Sequence, residues 1–228
     1  MVNLQKAGGI AALVEAVAYV VGFVVLATLL NPGNTEGWSP AQKLSFVLER
    51  KAIFQMWSTF IYVVFGVVLV VLAVALHERL KDNSVELMQI ATPFGLIWAG
   101  LVIASGMVAS IGLEAVAVIH SKDVAQAATA WIAIGAVQNG LGGGVEIVGG
   151  IWVLLISAAS FRSGALPKAL SYLGLIVGIA GTLTLLPSLA ELGVVFGLGQ
   201  IVWFVWIGTF MLRRVHSYPR SSAALDGG

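Results

Sequence analysis

The sequence predicts an all-α protein: a polytopic transmembrane helical bundle of about six spans, with both termini on the cytoplasmic side. Three observations carry that expectation. The chain is 59% hydrophobic and 10% charged, with mean hydropathy +0.97, where an ordinary soluble domain has about 25% charged residues. A soluble fold with that composition has too little polar surface to cover its apolar surface. Six apolar stretches approach or exceed the ~20 residues a helix needs to cross a ~30 Å hydrocarbon core. Lysine and arginine, finally, are shared unequally between alternate loops.

The first span is expected at residues 7–30, from Ala7 to Leu30. That run is too long for the apolar region of a cleaved signal peptide, and no small-x-small cleavage site follows it, so it reads as a retained span. Next, Ser39-Pro40-Ala41-Gln42 reads as an N-cap, a proline at the first helical position and a capping-box glutamine. Leu44, Val47, Leu48 and Phe54 then fall on one stripe, predicting an interfacial helix over about 40–52 that leads into span two at 54–76. Span three is expected at 90–119. Asp123, with Gln126 three residues on, caps a lead into span four at 131–156. Spans five and six are expected at 169–186 and 192–212. Residues 1–215 thus make one transmembrane domain, and the polar tail 216–228 is expected to be disordered. The apolar runs are continuous rather than alternating, which argues against membrane strands.

Orientation follows from the basic residues. Lys6, Arg79, Lys81, Arg162, Lys168, Arg213, Arg214 and Arg220 fall at the N-terminus, in the second and fourth loops and in the tail. Lys43, Arg50, Lys51 and Lys122 fall in the first and third loops. Eight against four places the first set inside. Spans one, three and five then enter from the same side, but the only supporting repeats are Glu15-Ala-Val-Ala with Glu114-Ala-Val-Ala, and Leu4-x-Lys6-Ala7 with Leu166-x-Lys168-Ala169. In a chain this rich in alanine and valine, chance explains them.

The net charge of +1 offers no field for nucleic acid or an acidic substrate. There is no cysteine, so thiolate metal sites, thiol nucleophiles and disulfides are excluded. His77, His120 and His216 fall at or beyond span ends, leaving no paired haem ligands within the membrane. No metal-binding spacing, mid-span lysine, phosphate-cradling loop or serine elbow is present. No cofactor or metal is expected, and an enzyme has no nucleophile or metal to start from. The tryptophans Trp38, Trp57 and Trp131 fit an interfacial belt, with Trp203 and Trp206 deeper.

Ionisable side chains inside a span are costly and mark function by default. Glu15 in span one, Glu114 near the outer end of span three and Glu146 in span four are the candidates. Small residues surround them: Gln138, Gly142, Glu146 and Gly150 follow an i, i+4 line, and Glu15 lies among Gly8, Ala11, Ala12, Ala18 and Gly22. Small residues mark helix contacts, so the three carboxyls are expected to face the bundle interior. With no lysine or arginine inside a span, each is protonated and hydrogen-bonded, reached by water, or bound to an external cation. Interhelical hydrogen bonding, at about 0.6 kcal/mol each on average, is the structural alternative to a site. Gln200 shares the level of Glu146, and Tyr62, Gln138 and Asn139 lie towards the outer side, together outlining an outward-opening polar cavity that reaches Glu146. The run Gly140-Leu-Gly-Gly-Gly144 either packs helices closely or breaks span four around a ligand; close packing is the favoured reading, for Gly142 and Gly150 as for Gly174 and Gly178 in span five.

Leu166-Pro167-Lys168-Ala169-Leu170, the glycines through Gly178, and a last span ending Trp206-Ile207-Gly208 with Leu212-Arg213-Arg214 resemble a group of bacterial six-span membrane proteins known only as a domain of unknown function. Lys6-Ala-Gly-Gly and Tyr19 fit the same pattern loosely. The resemblance covers the first span and the last two. It implies six spans, a bacterial inner or plasma membrane and no known activity.

Three functions compete. One is a small-molecule or proton/cation-linked transporter or sensor using Glu146 and Glu15. Another is a non-catalytic scaffold in a homo-oligomer or membrane complex, packing through its glycine faces. A lipid-modifying enzyme is weakest, for want of catalytic groups. The expected partners are the lipid bilayer and a small-molecule or lipid ligand, and not nucleic acid.

Overall fold

A computed structural model describes residues 4–144 and 146–214; the tail expected to be disordered, 216–228, lies outside them. Every element among the described residues is helical. α1 (Leu4–Ala27) is followed by α2 (Pro40–Glu49) and α3 (Lys51–Ser58), and α3 continues through a π-helical segment, Thr59–Val64, into α4 (Phe65–Leu80). Then come α5 (Val85–His120), α6 (Val124–Gln138), a second π-helical segment at Asn139–Gly143, α7 (Ile147–Ser163), α8 (Lys168–Leu183) and α9 (Leu192–Arg214).

Five stretches are long and apolar enough to cross a membrane: Leu4–Ala27, Lys51–Asn83, Val85–His120, Val124–Ser163 and Leu192–Arg213. They suggest a membrane-embedded protein. The sixth apolar helix, α8, has 16 residues, about 24 Å at 1.5 Å per residue. Outward faces are apolar: Val17 and Val24 of α1, Ile111 and Val118 of α5, and Ile176 and Ile179 of α8 are all exposed. In water such faces would associate; against lipid tails they need no partner.

Local chemistry sets the helix starts. Ser39 caps α2 in a reciprocal box, its hydroxyl accepting from the Gln42 N–H at 3.3 Å while its own N–H donates to Gln42 Oε1 at 2.8 Å, and proline stands at the first helical turn. α2 lays Leu44 against Val116, Ala127 and Ala128. The Asp123 carboxylate accepts from the Gln126 N–H at 2.9 Å and opens α6.

Six helices close a ring. α1 packs on α4, α4 on α5, α5 on α7, α7 on α8, α8 on α9, and α9 returns to α1. α6 stands outside that ring, against α5 and α2. Bulk inside the ring comes from aromatic side chains. Tyr19, Phe65, Trp98, Trp152, Trp203 and Phe204 touch in a closed circuit, with ring centroids 5.4–6.2 Å apart, within the range where edge-to-face pairs are favourable. Glycines on facing helices make the room. A Cβ at Gly95 would lie 2.5 Å from Trp152 Nε1, one at Gly149 2.6 Å from Trp98 Cε2, and one at Gly181 2.5 Å from Phe196 Cδ2.

Elsewhere backbone meets backbone. A Cβ at Gly150 would lie 2.5 Å from the Thr182 nitrogen and 2.7 Å from the Gly178 carbonyl oxygen; one at Gly178 would lie 2.8 Å from the Gly150 oxygen. At Gly174 a Cβ would lie 2.9 Å from Trp203 Nε1. Gly150, Gly174 and Gly178 are thus in contact with the chain's own helices. Backbone cannot yield as a flexible side chain can, so Gly150→Ala should part α7 from α8 and cost about 1–3 kcal/mol. Gly100→Ala, with nothing within 4 Å, should be neutral; thermal unfolding of both variants in the same detergent checks the contrast.

Candidate functional site

Span four is broken, and the break makes a cavity. The glycine run does not pack closely as favoured from sequence: a Cβ at Gly140 would meet nothing within 4 Å, and one at Gly142 only Val102 at 3.8 Å. Gly142 instead takes φ +110° and ψ 17°, a conformation that side chains with a Cβ rarely adopt. The helix therefore stops after Gly143 and α7 starts afresh beyond Glu146. Backbone groups left by the break find side-chain partners. Ser105 Oγ donates to the Gln138 carbonyl at 3.1 Å. The Glu146 N–H donates to Thr184 Oγ1 at 2.8 Å, and that hydroxyl donates in turn to the Gly181 carbonyl at 2.7 Å.

Glu146 is thereby held at the N-cap of α7, where the helix dipole accommodates negative charge. Its carboxyl makes no ion pair or hydrogen bond with the described residues. It lines a cavity of about 290 Å³ on the side of the bundle away from the N-terminus, walled by Ala18–Leu26 of α1, the start of α9 at Gly193–Gly197, and the broken segment. Seven aromatic residues line it: Tyr19, Phe23, Trp57, Tyr62, Phe65, Trp98 and Phe196. Among the described lining residues Glu146 is the one carboxyl, and no lysine, arginine or histidine joins it. Both π-helical segments reach this cavity, one through Ile61 and Tyr62, the other through Gly142 and Gly143. π-segments of this kind concentrate at functional sites.

The other sequence candidates divide. Tyr62 lines the cavity, with the Gln138 side chain beside it. Asn139 is exposed on the π-segment, outside the cavity wall. Glu15 is fully buried one turn from Tyr19 on α1, and both its oxygens lack a hydrogen-bond partner among the described residues; so do the amide atoms of Gln200, fully buried on α9 between Phe196 and Phe204. Tyr19 follows Glu15 by one turn of α1 and lines the cavity together with Tyr62 and Glu146. Glu114 departs from the interior placement expected of it. It is exposed, paired to Lys51 at 2.5 Å and accepting from Gln55 Nε2 at 2.8 Å. Lys51 lies in the interfacial stretch, and helix spacing alone gave no sign that it reaches across to α5.

Sequence reasoning missed most of the aromatic wall. Trp57 reads as a belt residue, yet its Nε1 donates to the Gly22 carbonyl at 3.1 Å and its ring faces the cavity. The usable signal was Tyr19, Gly22, Phe23 and Leu26, which share one face of α1.

Residues 7–213 match a family described as a domain of unknown function, DUF4386, and the chain belongs to that family. No curated protein and no solved structure matches it. The strain argument at the break can be checked directly. Gly142→Ala should lower stability by about 1–3 kcal/mol, while Gly140→Ala, in open space, should leave the unfolding midpoint where it is.

Proposed function

We propose that this protein is a small-molecule transporter of the cell membrane, with Glu146 holding the substrate or a coupled cation. The observation that carries the reading is the unpartnered Glu146 carboxyl at a helix break, facing an aromatic cavity inside the bundle. A discontinuous helix with its terminus at the ligand is how many transporters bind in the bilayer. A charge in a low-dielectric site must find compensation; here the chain leaves that place for something from outside. In the orientation expected from the basic residues, the cavity opens outward.

Glu15 gives the reading a second group. Its buried carboxyl lies one turn along α1 from Tyr19, which lines the cavity, so a proton on Glu15 is coupled through that tyrosine to occupancy of the cavity. The scaffold alternative draws less support. Of the glycines it would use, Gly150, Gly174 and Gly178 are occupied by α7, α8 and α9 of the same chain, and Gly142 lies at the helix break.

Native mass spectrometry from nanodiscs tests the proposal. The wild type and Glu114→Gln, which alters an exposed ion pair, should retain a bound small molecule that Glu146→Gln loses. A clean apo mass for the wild type, unchanged by Glu146→Gln, would overturn the reading, and a second protein retained in the spectrum would restore the scaffold.

A further inference from the structure

We infer that the cavity takes a small organic monocation: an amine or quaternary ammonium whose positive centre meets Glu146 and whose carbon substituents meet Tyr19, Trp57, Tyr62, Phe65 and Trp98. The inference rests on the ligand-binding reading of this cavity and names the ligand's chemistry.

Each alternative uses less of the wall. An anion would meet the Glu146 carboxylate with no lysine, arginine or histidine among the described lining residues to hold it. A neutral apolar molecule would fill the space but make no use of the carboxyl, which would then be left to protonation or water. A metal ion held by side chains needs several oxygen or nitrogen donors at short range, and no group of three or more acidic or histidine residues that could hold one occurs among the described residues. A cavity of about 290 Å³ is also far larger than a bare ion.

An organic cation satisfies both halves of the site. Its charge is met by Glu146, and aromatic faces attract it through their quadrupoles when a ring centroid lies within about 6 Å, most strongly where water is excluded. The rings are fixed for that task rather than loose. Tyr19 and Phe65 meet edge to face at 5.5 Å, Phe65 and Trp98 at 5.6 Å, and Trp57 and Tyr62 at 6.1 Å. The Trp57 indole is further held by the Gly22 carbonyl. The volume lies at the low end of the ~300–1,000 Å³ usual for ligand pockets, so the cation is small.

Charge and shape can be separated with an isosteric pair. Choline and 3,3-dimethylbutan-1-ol differ by a quaternary nitrogen against a quaternary carbon. Tetraethylammonium and benzyltrimethylammonium extend the series in size. Binding to the full chain in nanodiscs is read by tryptophan fluorescence, since Trp57 and Trp98 line the cavity, and by calorimetry.

At least one of the three cations should bind, with choline preferred over its carbon isostere by about tenfold or more wherever choline binds. Glu146→Gln should erase most of that preference. Tyr62→Leu should weaken the cation several-fold while Tyr62→Phe, which keeps the ring, should not. Equal binding of choline and 3,3-dimethylbutan-1-ol, both lost when bulk is added by Val102→Trp, would overturn the cation assignment and leave the cavity as a ligand site. Saturation by none of the three cations at millimolar concentration, in protein whose unfolding midpoint matches that of the native preparation, would also overturn it. The native mass spectrum, which depends on no chosen probe, separately decides whether the cavity binds anything.

Discussion

Everything in this bundle depends on glycine facing aromatic. A ring of six helices leaves a centre too wide for aliphatic side chains to fill from one side, and here six aromatic residues fill it in a closed circuit of edge-to-face and tilted contacts. Such rings fit only where the opposing helix has no Cβ. Gly95 receives Trp152, Gly149 receives Trp98 and Gly181 receives Phe196. Where aromatics are absent, the same residue type lets α7 and α8 touch backbone to backbone at Gly150 and Gly178. Within lipid there is no hydrophobic force between helices, so packing of this closeness carries the association. The 27 glycines of the chain are thus mainly a packing device.

One glycine run does something different, and the reason is local. Gly140 to Gly144 meets no aromatic that needs a seat and no backbone that needs approach, except where Gly143 turns back on Gln138. Freed from packing, the segment unwinds. Unwinding costs backbone hydrogen bonds in a place without water, and the partners supplied are single hydroxyls: Ser105 for the Gln138 carbonyl and Thr184 for the Glu146 N–H. Neither hydroxyl lines the cavity, yet both hold the segment that does. The aromatic circuit and the break meet at Trp98, which belongs to the circuit, packs on Gly149 just beyond the break, and lines the cavity.

The helical, membrane-embedded class was legible because it rests on composition and run length, quantities that tertiary structure does not alter. The caps at Ser39 and Asp123 were legible for a similar reason: the geometry involves four consecutive residues. Glu146 and Tyr62 were singled out as polar groups in an apolar setting, and the structure places both at the cavity. What sequence could not give was which glycines face aromatics and which face nothing. Gly142 and Gly150 share an i, i+4 line with Glu146, and spacing alone makes them equivalent. Only the identity of the neighbour, Val102 at a distance against Thr182 and Gly178 in contact, separates a break from a seam. Glu114 failed for the converse reason: its partner Lys51 lies 63 residues away, and helix periodicity holds no information about it.

The distribution of partners among the acids then argues for where function sits. Glu114 has a cation of its own and an exposed setting, so its charge is settled within the chain. Glu15 is sealed in the core, with no hydrogen-bond partner among the described residues and no opening to the cavity. Glu146 alone of the three has an unpaired carboxyl and space in front of it. A buried acid that served only to tie helices would be spent on a helix, and the Glu146 backbone already performs that tie through Thr184. Its side chain is left over from the packing problem. A carboxyl left in that position must be protonated, wetted or met by a partner from outside, and an aromatic wall offers such a partner more to hold than it offers water.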